Sequence, residues 1–216
     1  MYDITLIFTM HEECGKCNFG ELYKIIESIN PEIIFEELSS NLFDKFYNRN
    51  QLSDEPMEVK AVKKYIQNHN IKHTPVDIDA DQGLSNYNIE YMFNIFRKYD
   101  AYKKLEDEQY SMIERDGFVY LNSKKCAKLF DKMKIAEKNI MEFDVNRNLL
   151  SRIYELFHEE QNNRENAMLN NIYNYSKDNQ CNQGILLIGS GHRKSIMEKI
   201  EECKAKETIK LNWKLL

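Results

Sequence analysis

What most limits the fold of this chain is an alternation in residues 1–80 between short β-rich apolar runs and segments of helical spacing. Ile4 to Thr9 reads as a buried strand, and a polar loop from His11 to Asn18 follows it. Leu22, Ile25, Ile26 and Ile29 then share one face of a helix over Glu21 to Ile29. Asn30-Pro31 closes that helix, because a residue before proline avoids helical angles. Glu32 to Leu38 reads as a second strand. Pro56 opens a helix to about His69, with Val59, Val62 and Ile66 as its inner stripe. Pro75 starts a short third strand, Val76 to Ile78. A β-α-β-α-β order implies parallel strands joined by right-handed crossovers, with helices on the sheet faces.

From residue 84 to about 180 the pattern changes. Helices are predicted over 86–106, 123–139, 147–160 and 163–178, with a short extended piece at Phe118 to Leu121. Asn122 or Ser123 would cap the second of these helices. The expectation is one α/β domain over 1–216, its central sheet mostly parallel, with a helical insertion or cap over approximately 84–155. The strand pattern returns at Gly184 to Gly189, followed by a helix from about Lys194 to Lys204. The tail from Ile209 to Leu215 alternates like an edge strand. With only 7 Gly and 3 Pro, flexible linkers are not expected.

The net charge is −5, with Lys and Arg scattered among Asp and Glu, which argues against nucleic acid as a partner. The N-terminus lacks a basic region before its apolar run, and no stretch approaches the ~20 apolar residues of a membrane span. A cytoplasmic protein without membrane association is therefore expected. Its 5 cysteines make a disulfide framework improbable. Cys14-Gly15-Lys16-Cys17, between a strand and a helix, stands where a thiol-disulfide redox pair would be.

Polar residues gather just past the strands: His11 after the first, Glu36 and Glu37 at the end of the second, Asp77 and Asp79 after the third, His192 after the fourth. In an open parallel sheet these positions share the carboxyl edge, where such folds bind ligands. His11, Glu37 and His192 suit a divalent metal (Mn, Co, Fe or Zn) with one position left for water. Without metal, a His–Glu pair activates water as a general base. The plainer reading is that such residues cap helices or face solvent. Glu37 shares a face with Ile33 and Phe35, and Glu36 with Ile34 and Leu38; periodicity does not decide which face leads to a site. The Gly189-Ser190-Gly191-His192 turn has neither the lysine of a P-loop nor a Gly-x-Ser-x-Gly elbow. Arg164 heads an apolar stripe with Met168, Ile172 and Tyr175, where it either pairs with an acidic group or snorkels to solvent. His69, His73 and His158 read as solvated.

Four segments together resemble the TraB/Tiki superfamily, which takes in ChaN-like and erythromycin-esterase-like proteins. Phe8-Thr9-Met10-His11 looks like its first Gly-x-x-His motif, with Phe8 in place of the glycine. Pro31 to Leu38 looks like its second strand ending in a functional glutamate, which selects Glu37. Arg164 to Met168 resembles its arginine helix, and Gly189 to His192 its second Gly-x-x-His. The middle, 84 to 155, matches only as helix. The resemblance implies a hydrolase of an amide (peptide) or ester bond using His11, Glu37, His192 and Arg164, with a small-molecule or peptide substrate. The alternative is a non-catalytic binder of peptide or haem on the same scaffold. A redox protein using Cys14 and Cys17 is a lesser alternative.

Overall fold

The computed structural model describes residues 2–49, 54–79, 83–179 and 181–216. At its centre is an all-parallel sheet of β1 (Tyr2–Thr9), β2 (Ile33–Ser39), β3 (Lys72–Asp77), β4 (Gln183–Gly189) and β5 (Leu211–Leu215), ordered β3-β2-β4-β1-β5. The fold class expected from the alternation is the one found. β4 enters the sheet between β1 and β2, so strands far apart in sequence lie side by side.

The two faces of the sheet separate by the parity of the strand residues. Ile7, Ile34, Ile185 and Leu187 pack against α1 (Phe19–Ile29) and α3 (Met57–Ile66), through Leu22, Ile26, Val62 and Tyr65. Ile4, Leu6, Phe8, Phe35, Leu186 and Ile188 pack the opposite way, against Met168 and Ile172 of α8 (Arg147–Asp178) and Ile196 and Ile200 of α9 (Arg193–Lys206). Fully burying each such aliphatic side chain contributes about 1.5–3 kcal/mol. Glu37 has the parity of Ile33 and Phe35 and so shares the face covered by α8, whereas Glu36 belongs to the α3 face.

A third core lies above the sheet, among α4 (Asn86–Phe96), α5 (Asp100–Asp116), α7 (Lys124–Phe143) and the first half of α8, where Met92, Phe96, Tyr102, Met133 and Leu150 meet. The helical segment thus has a core of its own, and α8 runs through both layers.

Several expected boundaries shift. The helix predicted over 86–106 is two, because the chain turns extended at Tyr99 (φ −95°, ψ 121°) before α5. The helices predicted over 147–160 and 163–178 are one helix of 32 residues, since its polar middle holds no Gly or Pro to break it. Phe118 to Leu121 is a helical turn, α6 (Phe118–Leu121), not an extended piece; Gly117 at φ 54° turns the chain into it. β3 begins at Lys72, so Pro75 lies inside the strand, which tolerates it because β3 is an edge. Ser123 caps α7. Asn122 instead pairs with the backbone of β1, accepting from Phe8 N–H at 2.9 Å and donating to Phe8 C=O at 3.1 Å. That side chain pins the helical layer to β1 three residues before His11.

Backbone contacts hold the Cys14–Cys17 turn. Cys14 and Cys17 exchange backbone hydrogen bonds at 2.8 Å, and Lys16 N–H donates to Glu114 C=O at 3.0 Å. A Cβ on Gly15 (φ 53°) would stand 2.3 Å from Glu114 C=O, and one on Gly117 2.6 Å from Lys16 C=O. Both glycines are needed because two backbones meet there.

Candidate active site

β1, β4 and β2 are neighbours, so their carboxyl ends deliver His11, the Gly189–His192 turn and Glu37 side by side. A Cβ built on Gly189 would stand 3.3 Å from Glu37 Oε2, 3.7 Å from His11 Nε2 and 3.8 Å from His192 Cδ2. The three residues singled out in the sequence therefore converge on one point, which the glycine leaves open.

Glu37 is held from three sides. Its Oε1 accepts from Arg164 Nη2 at 2.7 Å and from His192 Nε2 at 3.1 Å, and its Oε2 accepts from Gly189 N–H at 2.6 Å. Arg164 also donates to Asp77 Oδ2, from Nε at 2.9 Å and Nη2 at 2.6 Å. Arg164 thus clamps two carboxylates rather than snorkelling to solvent, and Asp77 joins the site while Asp79 accepts from the Ser39 hydroxyl outside it.

Two supporting carboxylates were not singled out in the sequence. Glu165 Oε1 accepts from His192 Nδ1 at 2.8 Å, and its Oε2 from Lys199 Nζ at 2.7 Å and from the Ser195 hydroxyl. Glu58 Oε1 faces His11 Nδ1 at 3.6 Å and accepts from Thr9 Oγ1 at 2.5 Å. Both lie on apolar stripes, Glu58 four residues before Val62 and Glu165 three before Met168. An acidic residue on an inner stripe is the signal that could have found them.

These contacts fix the charges. Burial pushes the Glu37 carboxyl up, but the His192 hydrogen bond and the charges of His192, His11 and Arg164 carry it down to about 2. Burial pulls His192 down, and hydrogen bonds to Glu165 and Glu37 outweigh this and raise it to about 9. With a carboxylate on each ring nitrogen, His192 rests as imidazolium, held between two anions. Glu58 raises His11 above its ordinary value. The His11 side chain is 61% exposed, so water screens part of that pull.

Above this edge lies a chamber of about 780 Å³, with Gly189, His11, Glu37 and His192 on its polar floor and Met92, Phe93, Phe130, Met133 and Phe157 among its walls. His158, read as solvated, lines it half-buried, its proton affinity lowered by burial. His73 is likewise not solvated: it donates to Glu36 at 2.8 Å, and Tyr47 donates to the same carboxylate at 2.5 Å. His69 stacks on Tyr65, ring centroids 4.0 Å apart. Cys17 is fully buried, and burial pushes its thiol up to about 12, the reverse of what a redox-active thiol uses.

As an ion's donor set, the three residues do not fit as they stand. His192 turns Cδ2 toward the open point, both of its nitrogens are engaged, and a guanidinium occupies Glu37 Oε1. Among the described residues no group of three or more His, Cys, Asp or Glu is arranged to hold a metal.

Comparison with protein-family models, with curated proteins and with solved structures gives no match. Among the described residues no helix is long and apolar enough to cross a membrane.

Proposed function

We propose that this chain is a hydrolase of an amide or ester bond in which His11 and His192 act as base and acid across an ionised Glu37. The observation that carries this reading is the convergence of the three side chains on one open point at the floor of a chamber. The ordered resemblance of His11, Glu37, Arg164 and His192 to TraB/Tiki motifs supports it.

When His11 is neutral, its Nδ1–H faces Glu58 and leaves Nε2 free to take a proton from water. That water attacks the carbonyl carbon. The fixed positive charge of Arg164 and His192 favours the negative charge that develops on the carbonyl oxygen. His192 then turns its Nε2–H from Glu37 toward the open point and gives that proton to the leaving amine or alkoxide, and the proton His11 took from water returns to His192 through solvent as the cycle closes. Glu165, Lys199 and Asp77 position these groups without touching substrate.

The test is hydrolysis of a panel of p-nitrophenyl esters and peptide p-nitroanilides by protein treated with chelator. Wild-type turnover should survive the chelator, and Glu37→Gln should lower kcat/KM by about 100-fold or more. No hydrolysis across the panel, or equal rates in the variant, would contradict the proposal. Activity lost in chelator and restored by Mn²⁺, Co²⁺ or Zn²⁺ would assign water activation to an ion instead of to His11.

A further inference from the structure

One buried carboxylate is hydrogen-bonded through only one of its two oxygens. Glu58 is 9% exposed; its Oε1 serves Thr9 and His11, while its Oε2 is buried without a hydrogen-bond partner. A desolvated carboxylate oxygen left unpaired is costly, so a donor there is worth more than at the surface.

Glu58 lines a second cleft of about 340 Å³, on the other side of the catalytic edge. This cleft shares Thr9, His11, Glu37 and Arg164 with the larger chamber, so the two open onto the same reacting point. Its remaining acids are already engaged: Glu36 by His73 and Tyr47, Asp77 and Glu37 by Arg164, Asp79 by Ser39. Among the described residues, Glu58 Oε2 is the buried carboxylate oxygen left over, whereas Asp79 is exposed to water. Leu42, Phe46, Val59 and Ile78 make up much of the rest of the wall. A small cleft with apolar walls and one unspent anionic oxygen suits a cation on a short apolar stem. A carboxylate ligand would meet five acidic side chains against two basic ones, Arg164 and His11, and a hydroxyl would bring a hydrogen bond without the charge.

We propose that this cleft is a subsite for a primary ammonium group. The compounds cleaved then carry a free amine on one side of the scissile bond and an apolar group, seated in the chamber, on the other. Cleavage rests on the hydrolase reading; the ammonium site stands on the geometry alone.

Calorimetry with n-butylamine, n-butanol and butyrate at pH 7, on the full chain, tests the site directly. n-Butylamine should bind at least about tenfold tighter than n-butanol. Glu58→Gln should remove that difference. Leu42→Trp, which narrows the cleft at a half-exposed position while leaving every charge in place, should weaken the amine too. Melting curves verify the fold of both variants, and if Glu58→Gln fails to fold then Leu42→Trp decides. Equal binding of amine and alcohol, no binding of the amine, or unchanged amine binding in a folded Glu58→Gln would overturn the proposal. Peptide p-nitroanilides with free and acetylated N-termini separate the two claims. Amine binding without any cleavage keeps the subsite and removes the hydrolase, whereas cleavage indifferent to acetylation keeps the hydrolase and removes the subsite.

Discussion

Replacing Arg164 by Met tests whether the site is held as a network of buried charges. Arg164 makes three contacts of 2.6–2.9 Å to Glu37 and Asp77, whose side chains are 6% and 4% exposed. The variant leaves two carboxylates in a nearly dry site, Glu37 with His192 and Gly189 N–H, and Asp77 with, among the described residues, only the Ile78 N–H. Breaking a buried pair from one side costs about 3–5 kcal/mol. For a chain of this length that is a fall in Tm of about 6–20 °C. Urea unfolding at pH 7 measures the difference, and Arg164→Met/Asp77→Asn should recover part of it, because the orphaned charge goes with its partner. The Glu37 carboxyl is held at about 2 against an ordinary 4.5, so the stability it contributes is present above pH 4.5 and lost as pH falls toward 2. The gap between wild type and Arg164→Met should therefore shrink on acidification. A gap below about 1 kcal/mol at pH 7, the level of an exposed ion pair, would refute the reasoning, as would one that widens toward pH 3.

Three further outcomes follow from the same contacts. His192 is raised from 6.5 to about 9, so its contribution of about 3 kcal/mol is complete below pH 6.5 and lost as pH rises through 9; the stability difference between wild type and His192→Asn, measured by urea unfolding, should fall over that range. Gly189→Ala places a methyl group among Glu37, His11 and His192 at a φ of −57°, so circular dichroism should show an intact fold while turnover is lost. Gly15→Ala forces a Cβ against Glu114 C=O at φ 53° and should cost about 1–3 kcal/mol in urea unfolding, with α1 and α5 parting first by hydrogen exchange.

The alternation of β-rich and helical segments was enough to place β1, β2 and β4, because each sheet face is buried and parity is strict, whereas β3 begins four residues before the expected Val76. The site residues were legible because strand ends are short and carry few polar side chains. The order of the strands was not: nothing in the pattern says that β4 enters between β1 and β2, and that insertion is what brings His192 between His11 and Glu37. Periodicity left Glu36 and Glu37 open and the family resemblance selected Glu37; the position of α8 supplies the physical reason, because it covers the face that Glu37 shares with Ile33 and Phe35. Glu58 and Glu165 sit on apolar stripes where helical spacing expects hydrophobes, and their roles emerge only once Thr9, His11 and His192 are placed against them. Asn122 looked like a helix cap because Ser123 beside it is one; its pairing with Phe8 spans 114 residues and leaves no local trace.

Hydrolysis at this site needs one imidazole neutral and the other charged, and the pH dependence of kcat/KM on the best panel substrate measures that directly. A neutral His11 requires the rate to rise with pH, and a charged His192 requires it to fall. Both are raised, His192 to about 9, so the profile should be bell-shaped with its maximum on the alkaline side of pH 7. His11→Ala should flatten the rising limb and His192→Asn the falling one. A profile flat from pH 6 to 10, or the same bell in both variants, would contradict it.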